Sequence, residues 1–384
     1  RDCLLSRGLG DVYKRQIVFW QNCLSPHQLP YIVHLMDDKR VDEVVVVTEE
    51  SISDERKKMG WELGCYPQIE KCSIIISPNN DKIRALFNMR EADSWHLFSG
   101  IHGFPFIFHC FKISLVYNIK RGIVTECPYT YAFGSNNGKP LWLHSIRFFL
   151  QDYKYAKYID KVFAMGNRAT KYFKSVYSKW NVYPFMYCTQ PKEKNNLIAN
   201  QTATTKFLFV GSLSYRKSPK IISSSLVSCI KNNSKFDCHV TYVGDGNRRI
   251  DLENYIIKNN LKSYVTLTGF QPQTEIPTWM SKNDILILPS IHDGWGAVVN
   301  EALQTGMYVI CSNTCGAADL LKDERIGKVF HVNNEQQLSE IMQWCHDNID
   351  TIRHDRFFRQ QWADKHISGR VLAKYMINCL IENK

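Results

Sequence analysis

The chain has 384 residues, too many for one ordinary core, so its length predicts two domains. Its composition, with 44% hydrophobic and 22% charged residues, is typical of a folded protein and argues against a disordered one. The net charge of +11 favours anionic partners such as nucleotide phosphates or anionic lipid. Nucleic acid is disfavoured, because no recognition motif accompanies the charge.

The first segment, residues 1–16 (RDCLLSRGLGDVYKRQ), fits neither a strand nor an amphipathic helix. It also lacks the apolar region of a signal peptide. We interpret it as a non-native sequence artefact that resembles translated adapter read-through, and the alternative is a disordered extension. We therefore expect the folded chain to begin near Ile17.

The first half of the chain alternates short β-branched runs with amphipathic stretches of helical length. Its predicted strands are 17–20, 43–48, 72–77, 94–100, 122–126, 161–166 and 182–186. This alternation is typical of a parallel sheet covered by helices on both faces. We predict a doubly wound, Rossmann-like α/β domain over residues 17–189.

A polar stretch rich in Asn and Thr, residues 190–205, has little to bury and is the predicted linker. The strand pattern then restarts, with runs at 206–211, 239–244, 265–270, 284–290, 307–312 and 327–330. These runs predict a second Rossmann-like domain over residues 206–352, which faces the first across a cleft. Because the segment 353–384 follows the completed sheet, we expect it to be helical and to pack back onto the first domain.

Cysteine usage bears on compartment and metal binding. The 13 cysteines show neither a paired framework nor zinc-site spacing. Several lie inside apolar runs, where Cys behaves as a small buried hydrophobe; these are Cys72, Cys110, Cys127 and Cys311. The pattern favours a reducing cytoplasm, and we expect no metal and no cofactor.

Two strand ends of the second half carry features suited to a diphosphate. Gly211 ends the first strand, and Arg216 and Lys217 follow it. Gly244 ends the next strand inside a Gly-Asp-Gly turn. Ligands of open parallel sheets bind at such ends, and an Arg fork suits two phosphate oxygens. Alternatively, the Arg-Lys pair is a solvated helix start.

The fourth strand of this half ends in the stretch LPSIHDGWGAVVNEALQTG, residues 288–306. Gly294 and Gly296 allow the backbone to approach a phosphate closely, although they also suit simple turn geometry. Asp293 is a candidate to hold a sugar hydroxyl, and Glu301, one helical turn later, to accept hydrogen bonds from a ribose diol. Periodicity leaves open whether Glu301 meets the cleft or water.

The four motifs FVGSLSYRKS, YVGDGN, LTGF and LPSIHDGWGAVVNEALQTG occur in this order. In order and spacing, residues 206 to about 346 resemble the nucleotide-binding domain of GT-B glycosyltransferases, specifically retaining family 4. The resemblance implies that Arg216 and Lys217 bind the donor diphosphate and that Glu301 holds the ribose. It further implies that Asp293 contacts the donor sugar near the reacting carbon.

The resemblance assigns two further parts of the donor site. Backbone N–H groups of the segment Gly294–Trp295–Gly296 would cradle the sugar and phosphate, and Phe270 would contact the base. Two residues depart from the family pattern. Asp293 is one methylene shorter than the usual Glu, which alters its reach, and Ser218 replaces the common Gly after Arg-Lys.

The first half resembles the family's acceptor domain less specifically, through SPHQLPYIVHLM and SWHLFSGIHG. His96 stands where family members often begin a His-x-His pair, but Phe98 occupies the second position. His102 is the candidate substitute, with a structural His as the alternative. Glu126 ends another strand at the cleft without an assigned role.

The resemblance implies a retaining, metal-independent glycosyltransferase of the hexosyltransferase type, in which the departing phosphate oxygen accepts the acceptor's proton. The donor would be a nucleotide-diphosphate sugar and the acceptor a glycan or lipid-linked glycan, in cell-surface polysaccharide synthesis. Basic-aromatic segments at 147–161 and 168–180 favour peripheral contact with an anionic membrane at the inner face of the plasma membrane, unless their aromatic residues belong to the core.

Two alternatives remain open: a nucleotide-sugar-binding GT-B module without turnover, and a GT-B nucleotide-sugar epimerase. An NAD-linked enzyme is disfavoured, since no G-x-G-x-x-G opens a helix after a strand. The base, sugar, acceptor and oligomeric state are left open.

Overall fold

The structure is a computed structural model. It describes residues 15–52, 57, 69–89, 93–127, 145–146, 148–189 and 202–381. Most of the predicted artefact (residues 1–14) and of the predicted linker (190–201) lies outside these described residues.

The first sheet has seven parallel strands, as predicted. They are β1 Arg15–Cys23, β2 Val41–Glu50, β3 Ser73–Ile76, β4 Ser94–Phe98, β5 Lys120–Thr125, β6 Lys161–Met165 and β7 Asn181–Phe185. Their order is β3-β2-β1-β4-β5-β6-β7. Strand β1 begins two residues before the expected start at Ile17, and Arg15 and Gln16 pair with Val41 and Glu43 of β2.

The second sheet has six parallel strands, also as predicted. They are β8 Thr205–Val210, β9 Cys238–Val243, β10 Val265–Gly269, β11 Ile285–Leu288, β12 Tyr308–Ser312 and β13 Gly327–Phe330. In the order β10-β9-β8-β11-β12-β13, the chain winds to one side of β8 and then to the other. The carboxyl ends of β8 and β11 therefore lie side by side, at the position where such sheets bind ligands.

Helices cover both faces of each sheet. Within the described residues they are α1 Leu29–His34, α2 Asn80–Asn88, α3 Pro105–Ser114, α4 Tyr153–Ala156, α5 Gly166–Val176, α6 Lys220–Asn232, α7 Arg249–Lys258, α8 Ile276–Ser281, α9 Val298–Gln304, α10 Glu335–Asp347, α11 Ile349–His354, α12 Arg356–His366 and α13 Gly369–Ile381. Side chains alternate along a strand, so Val18 and Trp20 join the core on one face while Ile17 and Phe19 join the core on the other.

The last helix, α13, returns to the first domain as predicted. Its residues Leu372, Met376 and Leu380 share one buried cluster with Tyr31 and Ile32 of α1. The preceding helix α12 stays on the second domain, where the guanidinium of its buried Arg359 donates to the backbone oxygen of Gly306 at 2.7 Å. The C-terminal segment therefore ties the two domains together.

Helices α13 and α1 pack so closely at Gly369 that one added methyl group would disturb their contact. A Cβ at Gly369 would lie 2.3 Å from the backbone oxygen of Pro30, so Gly369→Ala forces the two helices apart. We expect a loss of about 1–3 kcal/mol in unfolding free energy, the usual result of overpacking, measured by urea denaturation.

Gly103→Ala is the matched control, since its added Cβ would meet Ser99 at an ordinary 3.5 Å. A stability gain in Gly369→Ala, as expected for Ala in an uncrowded helix, would contradict the close contact.

Candidate functional site

The ends of β8, β9 and β10 meet through glycines. A Cβ at Gly244 would lie 2.0 Å from the backbone oxygen of Gly211, and Gly244 has a φ of +138°. Its N–H donates to the backbone oxygen of Gly269 at 2.9 Å. No side chain fits between these strand ends, so the edge stays open. Phe270, which follows Gly269, is half exposed beside it.

Arg216 and Lys217, which follow β8, reach the segment after β11, residues 291–297, here called the donor loop. The ammonium of Lys217 donates to Asp293 Oδ2 at 2.5 Å. The Arg216 guanidinium lies 3.6 Å from the same carboxylate and donates to the backbone oxygen of His292 at 3.1 Å. Three of the predicted site residues thus form one ionic cluster.

Ser218 occupies the position where the family commonly has Gly. Its φ of +48° lies in the left-handed region that glycine adopts without strain. Ser218 therefore adopts the backbone conformation that a glycine would favour at this position.

Burial by itself would raise the pKa of Asp293, because it disfavours the charged carboxylate. The charge and hydrogen bond of Lys217, together with Arg216, outweigh burial and lower the pKa below the ordinary value. Asp293 is therefore an anion at neutral pH. A diphosphate that binds Lys217 must share the ammonium with this carboxylate.

Trp295 has its side chain in the core, 2% exposed. Its indole N–H donates to Asn300 Oδ1 at 2.7 Å, and the Asn300 amide donates to the backbone oxygen of Tyr187 in the first domain at 3.0 Å. The side chain therefore fastens the donor loop, and only the backbone at this position is available to a donor. Gly296 has a φ of +96°, and a Cβ there would lie 2.7 Å from Leu288 Cδ2.

Glu301 lies on α9 and is partly exposed. It lines neither of the two cavities described below. The structure thus places it on the helix that follows the donor loop. Its proposed contact with a ribose stays a prediction.

A cavity of about 290 Å³ lies between the two domains and is here called the cleft cavity. Asp293 and Gly294 line it from the second domain, and Arg168 and Lys171 of α5 line it from the first. Sequence analysis missed these two cations as site residues, although they lie in the segment 168–180 that it singled out as basic. The cleft cavity is thus positively charged on the side of the first domain.

The same interface carries a helix cap supplied across the domains. The backbone N–H of Asn167, in the first turn of α5, donates to Asp319 Oδ2 at 2.7 Å. An acidic side chain at the start of a helix accepts hydrogen bonds from free backbone N–H groups and interacts favourably with the positive end of the helix dipole. Nothing in the sequence pairs these two positions, which are brought together by the packing of the domains.

A larger cavity, of about 430 Å³, lies at the carboxyl edge of the first sheet and is here called the first-sheet cavity. His102, Glu126 and Asp152 line it. His102 Nδ1 is hydrogen-bonded to an Asp152 carboxylate oxygen. Glu126 also touches the donor loop, because a Cβ at Gly294 would lie 1.8 Å from Glu126 Oε2. Because Glu126 comes so close, position 294 has no room for a side chain.

His96 is a structural residue. Its Nδ1 accepts a hydrogen bond from the Trp20 indole at 3.1 Å, and its ring is fully buried. Burial, with a smaller effect of Arg121, lowers its pKa to about 3, so it stays neutral. His96 is therefore a core residue, which agrees with the absence of a second histidine at position 98.

Within the described residues, no three His, Cys, Asp or Glu side chains are grouped so that they could hold a metal ion. None of the described helices is both long and apolar enough to cross a bilayer.

Residues 191–357 match the family described as Glycosyl transferases group 1. Curated relatives match over part of the chain. The UDP-Gal:alpha-D-GlcNAc-diphosphoundecaprenol alpha-1,3-galactosyltransferase of Escherichia coli is 31% identical over 142 residues, 37% of this chain and 36% of that protein. The alpha-D-kanosaminyltransferase of Streptomyces kanamyceticus is 28% identical over 142 residues, 37% of this chain and 35% of that protein. The chain thus spans just over a third of these relatives.

Solved structures extend the likeness to both domains. Anabaena HepE in complex with UDP has a TM-score of 0.69 at 13% identity, covering 95% of this chain and 99% of that one. The S. aureus TarM structure, in complex with UDP and glycan ligands, has a TM-score of 0.60 at 12% identity, covering 78% and 58%. At this identity the likeness concerns the fold, and it confirms the predicted GT-B architecture.

The ion pair of Asp293 predicts a pH-dependent stability. Because the pKa of Asp293 is lowered on folding, its stabilisation is present above the ordinary Asp value of 3.8 and is lost as the pH falls through the lower folded pKa. Asp293→Asn should therefore be less stable than wild type at pH 7, and the gap in melting temperature should close below about pH 4.

Asp251→Asn removes an exposed ion pair with Arg248 and is the matched control, expected to change stability little at any pH. A gap between wild type and Asp293→Asn that is equally large at pH 7 and pH 3 would show that the Asp293 charge is not what stabilises the loop.

Proposed function

We propose that this protein is a retaining glycosyltransferase. It moves a hexose from a nucleotide-diphosphate sugar to a glycan or lipid-linked glycan in the cytoplasm, for cell-surface polysaccharide synthesis. The observation that carries the proposal is the cluster of Arg216, Lys217 and Asp293 at adjacent strand ends beside the cleft. The printed activity of the E. coli relative and the UDP bound to HepE support it.

In the proposed reaction, the acceptor's hydroxyl oxygen bonds to the anomeric carbon as the bond from that carbon to the diphosphate oxygen breaks. The bonding electrons leave with the diphosphate, whose oxygen takes the hydroxyl proton on the same face of the sugar. Arg216 and Lys217 stabilise the negative charge that develops on the diphosphate. Side-chain cations then perform the role that a metal ion has in other transferases, so we expect no metal requirement.

The role of Asp293 follows from its fixed position. Its carboxylate is held by Lys217, so it is oriented before a donor binds. From the donor loop, this carboxylate can accept hydrogen bonds from sugar hydroxyls and stabilise positive charge at the anomeric carbon as the bond breaks. Closure of the two domains excludes water from the reaction.

The test is a thermal-shift and hydrolysis screen of UDP-, GDP-, ADP- and CMP-sugars. We expect one donor to raise the melting temperature. Lys217→Ala should weaken that donor's affinity about tenfold or more, because it removes a charged hydrogen bond to the diphosphate. Glu301→Ala should weaken it as well, if Glu301 holds the ribose. Lys231→Ala, an exposed lysine on α6, is the matched control and should leave affinity unchanged.

Other outcomes distinguish the alternatives. A donor that binds tightly but is neither hydrolysed nor transferred to any acceptor indicates a binding module. Conversion of one nucleotide sugar into its epimer indicates an epimerase. The absence of binding by every donor would contradict all three proposals.

We also propose peripheral contact with an anionic membrane at the inner face of the plasma membrane. Phe149 (53% exposed), Leu150 (77%) and Tyr153 (51%) form an exposed apolar patch, with exposed Lys154 and Lys157 after it. Apolar side chains beside lysines favour anionic interfaces. The neighbouring aromatic residues belong instead to the core: Phe148, Tyr172 and Phe173. Phe149 and Leu150 of the patch lie in sequence between Phe148 and Asp152, which line the first-sheet cavity.

Vesicle co-sedimentation tests this contact. We expect binding to vesicles that contain phosphatidylglycerol, weaker binding to pure phosphatidylcholine, and a clear loss in the double variant Phe149→Ser/Leu150→Ser. Val116→Ser removes an exposed apolar side chain elsewhere on the same domain and should bind as wild type does. Equal binding by the double variant would exclude the patch.

A further inference from the structure

The first-sheet cavity has a distinct charge. Among its described lining residues there are two carboxylates, Glu126 and Asp152, and neither Lys nor Arg. The cleft cavity, in contrast, carries both signs of charge: Arg168 and Lys171 line it from the first domain, and Asp293 and Asp319 line it from the second. The two cavities adjoin where Glu126 meets Gly294. The cleft cavity thus offers cations to an anionic ligand, whereas the described lining of the first-sheet cavity offers carboxylates without a lysine or arginine.

One wall of the first-sheet cavity is a chain of hydrogen-bonded polar side chains. Tyr187 is hydrogen-bonded to both Glu126 and Gln28, and the Gln21 amide donates to Gln28 Oε1. All four residues line the cavity. Glu126 is therefore held in place by the wall, with its carboxylate between the cavity and the donor loop.

Gln21 supplies an independent indication of a ligand. Its side chain is 2% exposed, and within the described part of the chain its Oε1 has no hydrogen-bond partner. Buried carbonyl oxygens nearly always accept a hydrogen bond. A hydroxyl group of a molecule in the cavity would supply the missing donor once the Gln21 amide turns towards it, because the oxygen is shielded from solvent in this conformation.

The opposite wall combines a polar pair with an aromatic ring. His102 and Asp152 are hydrogen-bonded to each other, and Phe104, which also lines the cavity, is 38% exposed. A ring with hydroxyls at its edge and C–H groups on its faces matches such a surface, because carboxylate oxygens accept from hydroxyls and an aromatic ring packs against C–H groups. A phosphate or carboxylate would instead face two anions, with no lysine or arginine beside them among the described lining residues.

We propose that the first-sheet cavity binds the acceptor as an uncharged sugar ring, whose hydroxyls donate to Gln21, Glu126 and Asp152, and that it rejects rings bearing phosphate or carboxylate. This inference rests on the proposed glycosyl transfer and adds the chemical class of the acceptor. In a lipid-linked acceptor, any phosphate lies outside the cavity.

The test compares acceptors that differ in charge, with the donor identified by the screen above. Octyl glucoside and octyl N-acetylglucosaminide are the neutral probes, and octyl glucuronide is the anionic probe. We expect kcat/KM for octyl glucoside to exceed that for octyl glucuronide by at least about tenfold, because like charges oppose binding. Asp152→Asn keeps the shape of the side chain and removes its charge, so it should narrow this ratio by about threefold or more.

The ratio of kcat/KM for the two acceptors separates a charge effect from a structural one, because a change in the shape of the cavity would lower kcat/KM for both acceptors alike. Asp81→Asn, an exposed acid on α2 of the same domain, should leave the ratio unchanged. Equal use of octyl glucuronide and octyl glucoside by wild type would overturn the inference, as would an unchanged ratio in Asp152→Asn. If donor hydrolysis persists but neither neutral glycoside is used, the inference fails and the donor half of the proposed function stands. If no donor binds, the proposed function itself fails.

Discussion

The contact between Lys217 and Asp293 determines the arrangement of this site. Both side chains are 14% exposed, and a charge so far removed from water needs a partner. The pair joins the turn after β8 to the loop after β11, at the point where the winding of the second sheet reverses. It thereby fixes a cation and an anion on neighbouring strand ends before any ligand arrives, and in the proposed function these hold the diphosphate and the sugar. Such preorganisation is what electrostatic catalysis requires.

The donor loop depends on the first domain as much as on its own. Glu126 occupies the space that a side chain at position 294 would need, and Asn300 is hydrogen-bonded to the backbone of Tyr187. Asp319, which lies between β12 and β13, caps α5 from across the cleft. Any movement of one domain against the other must therefore change these contacts. In the proposed function, closure of the cleft is coupled in this way to the shape of the donor loop.

Sequence patterns predicted the strands and the strand-end positions of the residues that form the ionic cluster, but other features depend on tertiary packing. Buried parallel strands read as continuous β-branched runs, and Arg216, Lys217 and Asp293 stand at strand ends, where ligands bind. By contrast, Asp152 and Asp319 act through partners that are distant in sequence, and nothing local marks them. Phe148 and Phe149 are adjacent and chemically identical, yet one is buried and the other exposed. The contribution of Trp295 to the donor site stays a prediction and concerns its backbone alone, because its side chain lies in the core.

The separation of charge between the two cavities gives the transfer a direction. In the proposed transfer, the leaving diphosphate gains negative charge and is held by Arg216 and Lys217, while Arg168 and Lys171 line the cleft cavity opposite Asp293 and Asp319. Glu126 stands between that cleft and the first-sheet cavity, and its carboxylate repels a diphosphate that moves towards the acceptor. A neutral sugar ring meets no such barrier. The positive net charge of the chain is therefore unevenly distributed. The carboxylates of the first-sheet cavity keep the proposed acceptor side acidic, although the protein as a whole is basic.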